Sequence, residues 1–136
     1  MRSQVIDAIW NEWKEDYLSF TNIKTKEDLQ SDLENTQIYI LKHNNTLCSF
    51  CLIEANDMNV RPDVGPWLSS VFTFPQERNK GYARHLVEYV SRLHTPQLYL
   101  WCTPDLESFY KSFGFENDTT IYNHGQYRTI YIMVKK

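Results

Sequence analysis

Arg78-Asn79-Lys80-Gly81-Tyr82-Ala83 is a basic turn set between an apolar β-rich run and a helical repeat, and the rest of the chain is ordered around it. Upstream, Trp67 to Phe74 is rich in β-forming residues and is ended by Pro75. Downstream, Tyr82, Leu86, Val90 and Leu93, joined by Ala83 and Val87, recur at helical spacing and predict a helix from Gly81 to His94. A turn that opens a helix offers unpaired backbone N–H groups, and the helix dipole adds to their attraction for anions. Gly81 lets the backbone approach a ligand closely. Arg78, Lys80 and Arg84 add positive charge at the same place.

Beyond that helix, Leu98 to Cys102 is apolar on both alternating faces, as in a strand buried at the centre of a sheet. A helical crossover between it and Trp67–Phe74 predicts that the two strands are parallel. Thr103, Pro104 and Asp105 read as the cap and first turn of a helix whose Leu106, Phe109, Tyr110 and Phe113 face inward and which Gly114 ends. Thr119–Tyr122 and Tyr127–Val134 flank Asn123-His124-Gly125-Gln126 as a last hairpin. Toward the N-terminus, Ile38–Leu41 and Leu47–Glu54 flank Asn44-Asn45 as an earlier hairpin. Val5, Ile6, Ile9, Trp10, Trp13 and Tyr17 predict a first amphipathic helix. Thr25 and Asp28 form a capping box for a short second one, with Leu29 and Leu33 on one side and acidic residues on the other. The expected architecture is α/β, one domain over residues 1–136 with a mixed sheet of six strands and four helices.

Hydrophobic residues make up 42% and charged residues 23%, the balance of an ordinary soluble domain. No run approaches a membrane span, and the N-terminus lacks a signal-peptide pattern, so a cytoplasmic location is expected. A net charge of −3 argues against nucleic acid as the partner. Cys48, Cys51 and Cys102 cannot all pair with one another and read as reduced. Cys48 and Cys51 lie three apart in a strand and point to opposite faces, with no second Cys or His pair to complete a metal site. Gly65, Gly81, Gly114 and Gly125 form neither a Gly-x-Gly-x-x-Gly nor a Walker loop, which argues against dinucleotide and P-loop chemistry.

The basic turn resembles the Arg/Gln-x-x-Gly-x-Gly/Ala pyrophosphate loop of the GNAT acetyltransferases. Pro66 to Pro75 looks like the strand that leads into that loop, and Phe109 to Glu116 looks like the family's Tyr-x-x-x-Gly-Phe segment. The three segments come in family order and cover residues 66–116. The resemblance implies a GNAT fold and acetyl-CoA as co-substrate, held by Val71, Phe72 and Thr73 and by Arg78, Asn79, Lys80, Gly81, Tyr82, Ala83 and Arg84. It implies direct attack on the thioester by a primary amine, carried by a small molecule or a peptide, with Tyr110 donating a proton to the leaving thiolate. The alternative for Tyr110 is an aromatic packed on the helix's inner face. Two departures stand out. Thr103 replaces an asparagine common in the family, and the family's usual first strand is missing, which leaves open a homodimer or a strand from a partner chain.

An alkylamine with a pKa near 10.4 must lose its proton first, which costs about 4.6 kcal/mol at pH 7. Glu54, at the end of a strand, is the candidate base, and an exposed strand-end carboxylate is the plain alternative. Asp57, Asp63 and the acidic second helix could attract a cationic acceptor, or be solvated faces. A non-catalytic acetyl-CoA-binding regulatory module and a ligand-free interaction domain are the competing functions.

Overall fold

Strand-forming runs and amphipathic helices assemble as the spacing predicts in the computed structural model, which describes residues 1–94 and 96–136. The helices are α1 (Arg2–Phe20), α2 (Lys26–Asp32), α3 (Tyr82–Leu93) and α4 (Glu107–Lys111); the strands are β1 (Gln37–His43), β2 (Thr46–Glu54), β3 (Trp67–Thr73), β4 (Leu98–Cys102), β5 (Glu116–His124) and β6 (Tyr127–Lys135). The six strands form one sheet in the order β1-β2-β3-β4-β6-β5. All neighbours are antiparallel except β3 and β4, the pair joined by the α3 crossover. No strand precedes α1 among the described residues, and β1 forms a sheet edge.

Local chemistry explains the boundaries. Thr25 and Asp28 exchange both bonds of a capping box at the start of α2. Asn44 and Asn45 both take left-handed φ, 51° and 65°, which makes the tight turn that joins β1 to β2. Helices cover both faces of the sheet. On one face α3 and α4 bury Leu86, Val87, Val90 and Tyr110 against Cys51, Ile53, Leu98, Leu100 and Met133. At about 1.5–3 kcal/mol for each large apolar side chain, this stripe anchors α3 by several kcal/mol. On the other face Val5, Ile6, Ile9, Tyr17, Leu29 and Leu33 of α1 and α2 pack on Leu47, Phe50 and Leu52 of β2. A third cluster, Trp67, Tyr99, Ile132 and Val134, lies under the loop that carries Val60 and Val64.

Several local expectations are corrected. Thr103 makes no capping bond to the backbone; its hydroxyl turns to Asp105, and Pro104–Leu106 forms a single 3-10 turn before a five-residue α4. Leu106 and Leu93, expected inside, are 42% and 52% exposed. The last hairpin has a two-residue turn, because His124 pairs directly with Tyr127. α1 is kinked at Trp13, whose φ and ψ of −120° and 17° are not helical.

Candidate active site

The site begins where β3 and β4 part. They share a single paired position, Trp67 with Tyr99, whereas the other neighbours form ladders. A bulge interrupts the β2–β3 ladder, and within it Ser70 takes a left-handed φ of 52°. A bulge of this kind bends its strand, and here the bend coincides with the divergence from β4. The edge of β3 that faces β4 beyond Trp67 therefore has no strand to pair with.

The gap is a cleft of about 190 Å³ lined by Ser69, Ser70 and Val71 from β3, Leu100 to Cys102 from β4, and Tyr110 from α4. Trp13 and Asp57 also line it. Trp13 and Val71 also line a neighbouring groove of about 470 Å³ at the start of α3. This groove is lined by Val71, Phe72, Thr73, Arg78, Asn79, Gly81, Tyr82, Ala83 and Arg84, nine of the ten residues expected to hold the co-substrate. The tenth, Lys80, is not part of its wall, and its Nζ pairs with Glu77 at 3.1 Å.

The turn is rich in free donors. None of the backbone N–H groups from Asn79 to Arg84 has an acceptor among the described residues, so six donors in succession are free at a helix start. Gly81 has a φ of 80°, and a Cβ there would meet nothing within 4 Å, so the space above the turn is open. In this state the cations satisfy themselves internally. Arg78 Nε donates to the Thr73 carbonyl at 2.8 Å, and Arg84 lies over the Phe113 ring, 5.0 Å from its centroid.

Tyr110 is 8% exposed, its ring packed between Phe109 and Phe115. Its hydroxyl has no hydrogen-bond partner among the described residues, and the residue both belongs to the core and lines the cleft. Burial raises its pKa, so the phenol is neutral and a donor. Cys51 and Cys102 nearby are pushed up to about 12 by burial, which makes them inert thiols, and all three cysteines are buried and free.

Glu54 is not an exposed strand-end carboxylate. It accepts a hydrogen bond from Ser69, and burial pushes its pKa up to about 7. It lines a recess of about 290 Å³ beside the cleft rather than the cleft itself. The carboxylate that lines both is Asp57, 7% exposed. No described residue donates a hydrogen bond to it, and burial, then Glu54, then Asp16 hold its pKa well above the usual carboxylate range. Trp101 Nε1 lies close enough to favour the ionised form, yet it makes no hydrogen bond of normal geometry. Asp63 is paired with Arg61 at 2.7 Å and stands apart from this cluster.

The sequence of residues 34–117 matches the acetyltransferase (GNAT) domain family. The chain belongs to that family. As a GNAT acetyltransferase it shares a fold with solved members at low identity. An aminoglycoside 6'-N-acetyltransferase complexed with coenzyme A is 13% identical with a TM-score of 0.72, over 98% of this chain and 88% of that one. The ribosomal-protein-S18-alanine N-acetyltransferase from Escherichia coli is 18% identical with a TM-score of 0.61, over 82% and 76%. A GNAT acetyltransferase from Elizabethkingia anophelis with acetyl-CoA bound is 13% identical with a TM-score of 0.63, over 82% and 83%. A sequence search against curated proteins gave no match. Among the described residues no group of three or more His, Cys, Asp or Glu is arranged to hold a metal, and no helix is long and apolar enough to cross a membrane.

Proposed function

We propose that this GNAT domain moves an acetyl group from acetyl-CoA to a primary amine by direct attack on the thioester. The observation that carries this is an adjacency: a groove with six free N–H donors shares Trp13 and Val71 with a cleft lined by the Tyr110 phenol and the Asp57 carboxylate, neither of which has a hydrogen-bond donor or acceptor of normal geometry among the described residues. Acetyl-CoA supplies the thioester; the amine nitrogen bonds to its carbonyl carbon, the C–S bond breaks, and the sulfur leaves as CoA thiol.

The turn from Arg78 to Arg84 binds the diphosphate through backbone N–H groups, and Arg78 and Arg84 exchange their internal partners for phosphate oxygens. Val71, Phe72 and Thr73 present strand edge toward the thioester, where a free N–H polarises the carbonyl as an oxyanion donor does. Tyr110 donates its hydrogen bond to the departing sulfur. Its raised pKa keeps the proton on the phenol until charge develops, and solvent completes the transfer. The amine's proton goes to Asp57, which lines the cleft that Glu54 does not reach and whose proton affinity burial raises. Three free cysteines fit a cytoplasmic setting.

The test is calorimetric titration with acetyl-CoA, followed by free-thiol release in the presence of amines. Gly81→Asp, which sets a negative side chain over the open turn, is expected to abolish binding while the protein stays folded, and Arg78→Ala to weaken it. Parent-like binding by both variants would show that the diphosphate lies elsewhere.

A further inference from the structure

The recess beside the cleft has an unusual electrical balance. Three carboxylates line it: Asp57 at its inner end, Glu54, and the more exposed Asp32, while no Lys or Arg does. Buried carboxylates normally carry partners, and this fold supplies them where the charge is structural. Asp16, 1% exposed, accepts hydrogen bonds from Gln126 Nε2 and the Tyr127 hydroxyl, both at 2.6 Å. Asp57 is almost as buried and has no such donor. A buried carboxylate left without a partner, facing two connected cavities, is a position that a ligand completes.

We infer that the recess is the subsite for the distal ammonium of a linear aliphatic diamine or polyamine, held by Glu54 and Asp32 while the other amino group passes Asp57 into the cleft. This rests on the acetyl-transfer proposal and names its acceptor. Burial first, and then a neighbouring carboxylate, lifts the pKa of Glu54 and of Asp57, and two ammonium groups facing the three carboxylates offset both effects. Tyr17, Ile23 and Met58 give the recess an apolar wall suited to a methylene spacer. Its volume of about 290 Å³ leaves room for an extended aliphatic chain.

Calorimetric titrations with 1,4-diaminobutane, spermidine, butylamine and kanamycin, each with and without saturating CoA, test the assignment. The diamine and spermidine are expected to bind at least about tenfold more tightly than butylamine, as one added charge pair provides. Asp57→Asn should weaken diamine binding by about 30-fold or more and leave CoA affinity unchanged. Asp32→Asn, at an exposed position where folding is not at risk, should weaken it by about two- to fivefold. Equal affinity for butylamine and diaminobutane, or tighter binding of kanamycin than of either linear amine, would overturn the assignment. Diamine preference without any CoA binding would sink the acetyl-transfer proposal alone. CoA binding without diamine preference would sink the recess assignment alone.

Discussion

Glu54→Gln isolates the cost of keeping carboxylates in the recess. Glutamine retains an acceptor for the Ser69 hydroxyl and removes only the charge. In the folded protein burial lifts the Glu54 pKa from 4.5 to about 7. A carboxyl whose folded pKa lies above its unfolded value binds its proton more tightly when folded. Its destabilising effect is absent below the unfolded pKa, grows as pH rises between the two values, and is complete above the folded one. At about 1.36 kcal/mol per pH unit, the cost reaches about 3 kcal/mol at pH 8. Asp57 loses a like-charged neighbour in the same variant, which adds in the same direction. For a domain of 136 residues the gain corresponds to about 10 °C in melting temperature. Urea unfolding of parent and variant at pH 5, 6, 7 and 8 reads it directly. The variant should lead by under about 1 kcal/mol at pH 5, and the lead should widen steadily through pH 7. A stability difference that stays flat from pH 5 to pH 8 would refute the placement of Glu54 in a desolvated recess.

Tyr110→Phe is expected to lower turnover by about 10² to 10⁴ with acetyl-CoA affinity unchanged and the denaturant midpoint near that of the parent, since the hydroxyl has no partner among the described residues to lose. Unchanged turnover with chemistry rate-limiting would return the residue to a packing role. Gly65→Ala brings a Cβ within 2.8 Å of the Ala55 carbonyl oxygen, where the two ends of the Asp57 loop close. It should cost about 1–3 kcal/mol in urea unfolding and reduce amine affinity, and parent-like behaviour in both would show that the loop does not fix Asp57.

What was legible in the sequence was local. The capping box of Thr25 and Asp28, the paired asparagines of the first hairpin and the glycine turn before α3 each carry their geometry in a few adjacent residues. The groove at the start of α3 was readable for the same reason, because a helix start and its preceding turn are continuous in sequence. The buried carboxylate of the cleft was not. Asn56, Asp57 and Asn59 look like an ordinary polar loop, and only contact with α1, β3 and β4 buries Asp57. Trp13 keeps the spacing of a core stripe, yet it sits at a kink and lines both the groove and the cleft. Thr103 has the identity and position of a cap, but the aspartate two residues on claims its hydroxyl. Such outcomes depend on residues distant in sequence, and no window along the chain contains them.

The solitary pairing of Trp67 with Tyr99 divides the sheet mechanically. β1-β2-β3 and β4-β6-β5 are two ribbons, each laced internally and joined by one ladder position, where the rings of Trp67 and Tyr99 pack with centroids 5.5 Å apart, and by the core they share under α3. A ligand in the wedge touches both ribbons at once, so under the acetyl-transfer proposal the thioester is a brace between them as well as a reactant.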